Sequence, residues 1–199
     1  ARGGVGGPGA GVDVREAILA AALRQLEATG SPDRVTVAAI VDEAGCTPPS
    51  LYHYWPTREL LLQEASARGW THFRASQTSA VADQNDPVER LRLRGRAYLD
   101  FALVKPALFR VLFLEAPAAG PTQTPAETGN ALGDLVTDVT AAMATGQLRP
   151  ADPLATALAL WSAMHGVAAL WSVKPNLPTA LAHSVGDPTP DAVLTGLAA

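Results

Sequence analysis

The 199 residues carry a formal net charge of −4, with 48% apolar and 17% charged residues, which fits a globular chain and excludes low-complexity and collagen-like ones. The single cysteine, Cys46, excludes an intrachain disulfide and a cysteine-cluster zinc site. The acidic balance alone argues weakly against nucleic acid; no signal peptide is evident and no run of about 18 uncharged apolar residues is expected to span a membrane, so a cytoplasmic address is expected.

Alanine leads the apolar set, and β-branched and aromatic runs are sparse, which predicts an all-α fold of about nine helices. Residues 1–11, with six glycines, read as a flexible tail. A first helix is predicted from Asp13, where Asp13 and Glu16 resemble a capping box. Ile18, Ala21, Ala22 and Leu26 then form one apolar stripe, and Gly30 and Pro32 stop it. Thr36 caps a short second helix with Val37, Ile40 and Ala44 inward, and Gly45 ends it. Thr47 can cap a third, with Pro48 at its first position and Leu51 and Trp55 inward, four residues apart. A fourth helix begins at Arg58 and carries Leu61, Leu62, Ala65, Trp70 and Phe73.

Asp86-Pro87-x-Glu89 opens a helix expected to reach about Lys105. Pro106 opens a short one with Leu108, Phe109, Leu112 and Phe113. Residues 116–130 read as a loop, followed by a helix of about 15–20 residues from Pro125 or later to Ala144. Asp152-Pro153 starts another that runs to about Val173. Residues 174–189, with three prolines and a glycine, are expected to form a second long loop. Asp191–Ala198 reads as a closing helix. The Arg90, Arg92, Arg94, Arg96 run, spaced by two, is expected to spread around a solvated helix surface.

Two short helices around a glycine-containing turn make a helix-turn-helix candidate, whose second helix can enter the major groove. The stretch 35–64, VTVAAIVDEAGCTPPSLYHYWPTRELLLQE, together with the helix before it, resembles the DNA-binding domain of the TetR family. The elements of the resemblance are Thr36, Ala44-Gly45, Thr47, Leu51-Tyr52, Tyr54-Trp55 and Arg58 with Glu59-Leu60-Leu61. It implies a DNA-binding domain over residues 12–58 and a helical ligand-binding and dimerisation domain over 59–199. It further implies phosphate contacts from Thr36, Thr47 and Arg58, base-facing positions at Pro49 and Ser50, and phosphate or base-edge contacts from Tyr52, His53 and Tyr54. Cys46 reads as packing. Residues 13–59 hold four basic residues and seven acidic ones, a net of −3, so phosphate neutralisation is expected to be slight.

Trp161, His165 and Gly166 are similar to the Trp-x-x-x-His-Gly signature of a WHG-type C-terminal domain found in some TetR-type regulators. His165 reads first as a buried histidine bonded to a polar neighbour, and Gly166 as a place where another helix approaches. The resemblance implies an effector pocket among the middle helices, with candidate lining residues Trp70, Phe73, Tyr98, Phe101, Phe109, Phe113, Trp161, Met164 and His165. Each aromatic is equally a candidate for plain core. An aromatic-rich cavity with few charges suits a small apolar or aromatic effector. Leu158, Ser162, Val167, Ala168, Leu194 and Leu197 are expected near a homodimer interface.

The expected function is thus a transcriptional repressor, bound as a homodimer to palindromic double-stranded operator DNA and released by its effector. A helical ligand-binding dimer with weak or lost DNA binding is the alternative. No membrane partner, cofactor or metal is expected, and no catalytic Ser/His/Asp set or phosphate-binding glycine loop marks an enzyme.

Overall fold

A computed structural model describes residues 10–114, 131–174 and 176–198. The expected tail lies mostly outside them, as does the loop expected over 116–130. Among the described residues there are ten α-helices and no strand: α1 (Ala10–Thr29), α2 (Val37–Ala44), α3 (Pro48–Tyr54), α4 (Arg58–Ala80), α5 (Pro87–Val104), α6 (Pro106–Phe109), α7 (Ala131–Ala144), α8 (Pro153–Val173), α9 (Thr179–Gly186) and α10 (Thr189–Thr195). A 3₁₀ turn spans Pro32–Arg34, and a π-type turn, Arg110–Leu114, continues α6.

The helix starts follow their capping chemistry. The side chains of Thr36, Asp86 and Asp152 accept the N–H groups of Ala39, Glu89 and Ala155 at 3.1, 2.8 and 3.0 Å, satisfying donors that a helix start leaves open. Gly45 closes α2 at φ 65°, a left-handed conformation that a Cβ would strain.

The chain divides into two compact units. One contains residues 10–70 and 107–114 of those described. In it, α1 packs on α2 and α3, and α2 on α3, with Ile18, Leu26, Ile40, Leu51, Leu61 and Phe109 wholly buried. The first half of α4 belongs to this core. A Cβ on Gly69 would lie 3.0 Å from the Leu108 side chain.

The other unit contains residues 71–106, 131–174 and 176–198. There α5 packs on α7, α8 and α9, while α10 lies against α5, α8 and α9. Leu91, Val139, Ala142, Leu148, Ala157, Leu160 and Leu194 form one core cluster. Gly95 admits the last helix: a Cβ there would lie 2.8 Å from Pro190.

Four expectations are corrected here. Residues 174–189 are not one loop, since they contain α9. Pro178 stands at its N-cap, where a missing N–H costs nothing, and Ala182 and Gly186 supply its buried face. The closing helix starts earlier than Asp191 and ends at Thr195, after which Leu148 and Ala198 form an isolated bridge. The arginine run is not a uniformly solvated surface, because Arg94 is buried. Finally, α8 is a helix of 21 residues, long and apolar enough to cross a membrane by length and composition. Thr156, Ala157, Leu160, Met164, Ala168 and Trp171 are the residues that it buries within this unit.

Candidate functional site

In the first unit, α3 is seated by its apolar pair. Leu51 and Trp55 are buried, and the Trp55 indole N–H donates to Glu64 Oε2 at 2.7 Å. The Arg15 guanidinium lies over the Trp55 ring, 5.0 Å from its centroid, at cation–π range. With that face fixed inward, Pro49, Tyr52 and His53 are exposed and Ser50 and Tyr54 are half-buried. Tyr54 packs edge-on to His53 at 4.9 Å between centroids. The candidate DNA-contact residues of α3 therefore share the outward side of one short helix, with Thr47 exposed at its start.

The N-terminus of α3 differs from a usual anion-binding helix start. Thr47 occupies the N-cap position, but its hydroxyl meets the Ser50 hydroxyl at 3.1 Å and no backbone N–H. Pro48 and Pro49 fill the first two helical positions, and proline has no N–H to offer. The first turn thus lacks two of the donors that attract phosphate elsewhere. Thr36 is both exposed and a working cap of α2.

Arg58 points inward. Its Nε donates to the Val35 carbonyl at 2.7 Å, another guanidinium nitrogen donates to the Pro32 carbonyl, and a third pairs with Glu59. It braces the 3₁₀ turn and the entry to α2, which is a structural use of a cation that the family resemblance assigns to phosphate. Three other cations are similarly engaged: Arg15 with Glu64, Arg24 with Glu43, and Arg68 with Glu16. Hydrogen bonds from Arg68 and Arg24 hold the Glu16 and Glu43 carboxyls below their ordinary range. Arg34, which the sequence pattern did not single out, is exposed beside Thr36. Its position two residues before an N-capping threonine was the available signal. Cys46 is half-buried and burial raises its thiol pKa, which suits packing better than thiolate chemistry.

The candidate pocket residues fall into two sets. Trp70, Phe109 and Phe113 belong to the first unit, where Phe113 contacts Trp70 and Phe109 at 4.8 and 4.9 Å between centroids. Phe73, Tyr98, Phe101, Trp161, Met164 and His165 belong to the second. There Phe73 meets Tyr98 and Phe101 edge-on, at 5.5 and 5.1 Å.

Three polar tips converge within this second set. The Trp161 indole N–H donates to the Tyr98 oxygen at 3.2 Å, and that oxygen lies 2.7 Å from His165 Nδ1. Indole can only donate, so the Tyr98 oxygen accepts there, and the direction of its bond with Nδ1 follows the imidazole tautomer. Burial raises the Tyr98 pKa and lowers that of His165, so both groups are held uncharged. The expectation that His165 bonds a polar neighbour thus has a named partner.

A pH dependence follows. The folded state resists protonating His165, whereas the unfolded chain takes up that proton near pH 6.5. Between the unfolded and the lower folded pKa the unfolded state binds more protons, so stability falls as pH falls through this window. Denaturant midpoints measured from pH 7.5 downward should decline less steeply in His165→Gln than in the parent; identical slopes would refute the assignment.

The dimer-interface candidates also divide. Leu158 and Ser162 are exposed and Val167 and Leu197 are half-buried. Ala168 and Leu194 are buried within a single chain, so their side chains have no surface to offer a second copy. The spacing could not separate α8's two apolar faces. Gly166 is exposed, and nothing described lies within 4 Å of a Cβ placed there, so the helix approach expected at this glycine does not occur within the described chain.

Sequence families agree with this division of the molecule. Residues 18–65 match the family described as bacterial regulatory proteins, tetR family, and residues 91–187 match the tetracyclin repressor-like C-terminal domain. The second match contains Trp161, His165 and Gly166. Among curated protein sequences none matches the chain. A Rhodococcus sp. RHA1 protein of unknown function superposes with a TM-score of 0.76 at 23% identity, covering 100% of both chains. A TetR-family regulator from Pectobacterium atrosepticum gives a TM-score of 0.73 at 20% identity over 94% of this chain and 95% of that one. AibR, solved with isovaleryl coenzyme A and operator DNA, gives 0.63 at 25% identity over 93% and 97%.

Proposed function

The chain belongs to the TetR family of bacterial regulatory proteins, and on that premise we propose that it is a transcriptional repressor that binds a palindromic operator as a homodimer and is released by a small apolar or aromatic effector. The observation that carries the reading is the outward face of α3. Pro49, Tyr52 and His53 are exposed on a helix whose opposite side is locked by Leu51 and Trp55. The Tyr52 and His53 rings lie on its exposed side, and such a helix fits the major groove. Tyr52, His53 and Tyr54 then serve as base-edge or phosphate contacts. Thr36, Thr47 and Ser50 supply hydroxyls. Arg34 supplies the phosphate cation in place of Arg58.

A second copy of the chain covers the exposed stripe on α8 and α9. Leu158, Ser162, Gly166, Leu170 and Val173 follow helical spacing along α8, and Leu181 and Val185 are exposed on α9. A patch of this kind marks an interface, and Gly166 lets the backbones approach there. The effector binds in the second unit beside Tyr98, Trp161 and His165, whose polar tips lie within an aromatic surround. AibR, a structural relative solved with both a ligand and operator DNA, supports the pairing of the two functions in such a fold.

The ligand-binding dimer with weak DNA binding has support of its own: the net of −3 over residues 13–59, the two missing N–H donors at α3, and an inward Arg58. Selection of genomic fragments by the whole chain at low salt separates the readings. One palindromic sequence should be recovered, with affinity reduced about tenfold or more in Tyr52→Ala. Arg34→Ala should weaken binding to all sequences and reduce the salt slope by roughly one. A folded protein that enriches no sequence would favour the ligand-binding dimer.

A further inference from the structure

Gln77 lies on α4 in the second unit and is 5% exposed. A carboxamide so buried is costly unless both its ends are bonded. With the amide oriented to satisfy its neighbours, its oxygen accepts the Tyr98 N–H at 3.0 Å and its nitrogen donates to the Arg94 carbonyl at 3.2 Å. Those two backbone groups are the pair that would bond each other in an uninterrupted α-helix. The side chain of one helix thus meets a rung of another, inside an α-helix that runs from Pro87 to Val104. Arg94 also reaches back toward the Gln77 carbonyl at 3.5 Å, and Phe73, one turn before Gln77 on α4, packs edge-on to the Tyr98 ring.

We infer that Gln77 is a positioning residue: it sets the register of α5 against the C-terminal half of α4 and thereby holds the Tyr98 hydroxyl on His165 and Trp161. Tyr98 is fixed at its amide by Gln77, at its ring by Phe73 and at its oxygen by the polar cluster. Gln77 can hold or release this rung without leaving the α5 backbone unbonded, and packed elements with two discrete arrangements are the kind that amplify small displacements. A ligand touching the polar cluster can then bias the end of α4. This last step rests on the effector reading above; the positioning role does not.

The test uses the whole perdeuterated chain, labelled with ¹⁵N and ¹³C. Through-hydrogen-bond coupling should connect the Tyr98 amide nitrogen to the Gln77 side-chain carbonyl carbon. In Gln77→Met, of similar length and without hydrogen-bonding groups, that coupling should vanish, leaving the Arg94 carbonyl as the partner of the Tyr98 amide. The ¹⁵N shift of His165 Nδ1 should change with it, because Tyr98 is released. Gln77→Glu keeps the acceptor and should retain most of the parent Nδ1 shift. A folded Gln77→Met with an unchanged Nδ1 shift would overturn the inference, since a merely space-filling Gln77 predicts that result. If Gln77→Met does not fold, Tyr98 coupled to Arg94 rather than Gln77 in the parent overturns it equally. Operator affinity measured on the same variants addresses the effector reading separately: changed Nδ1 with unchanged affinity would reject only the regulatory step.

Discussion

Asp138→Ala should lower folding stability by about 3–5 kcal/mol, the cost of breaking a buried ion pair from one side. Asp138 sits on α7, buried, with one carboxylate oxygen accepting from Arg90 Nε at 2.7 Å and the other from Arg94 Nε. The two arginines do not fare alike when it is removed. Arg90 retains the Val81 and Gln84 carbonyls, each at 3.0 Å, and is partly exposed. Among the described residues Arg94 keeps only a long contact to the Gln77 carbonyl, and it is left charged in the core. The decisive comparison is urea denaturation of Asp138→Ala beside the double variant Asp138→Leu/Arg94→Met. Removing both charges should recover most of the loss, because apolar replacement of a whole buried pair is often neutral. A single variant as stable as the parent would mean that water reaches Arg94.

Trp55→Ala carries the other large effect, about 3–5 kcal/mol for truncating a buried indole. It removes the partner of Glu64 Oε2 and the ring beneath Arg15, both of which tie α3 to its surroundings. Trp55→Phe retains most of the buried area and loses the indole N–H, so it should cost nearer 1 kcal/mol. Thermal or denaturant unfolding reads both variants. If α3 reads DNA, operator affinity should fall in Trp55→Ala by more than the unfolded fraction explains, since Tyr52 and His53 are aimed by that seat. Equal affinity per folded molecule would show that α3 needs no such anchor.

Much of this architecture was legible because it is written in short-range chemistry. Thr36, Asp86-Pro87 and Asp152-Pro153 announce helix starts through caps and proline placement, and Leu51 and Trp55 announce the inner face of α3 through their spacing. What was not legible was long-range or depended on direction. The prolines around α9 looked like loop chemistry, although Pro178 merely precedes a helix. Arg90 and Arg94 lie four apart and share a face, a spacing hidden inside a run that looked evenly distributed. Gln77 and Asp138 are polar residues on long helices, and nothing local distinguishes them from surface positions. Ala168 and Leu158 both fit an apolar helix face, and only the packed structure says which face is already covered. Arg58 stands where the resemblance places a phosphate cation, and its present partners, carbonyls more than 20 residues earlier, are of the long-range kind that spacing does not reveal.

The proline pair at the start of α3 has a consequence for how such a protein would divide itself along a chromosome. Attraction to DNA of any sequence comes mainly from phosphate neutralisation. A recognition helix with two donors removed from its first turn, on an acidic domain, has little of that attraction. Most of its copies would then remain free rather than held at the many random sites, and occupancy of the intended sequence would depend on base contacts. Selectivity of this kind is set by the ratio between specific and random binding rather than by tightness alone. A protein so built can work at few copies per cell while binding its target only moderately well.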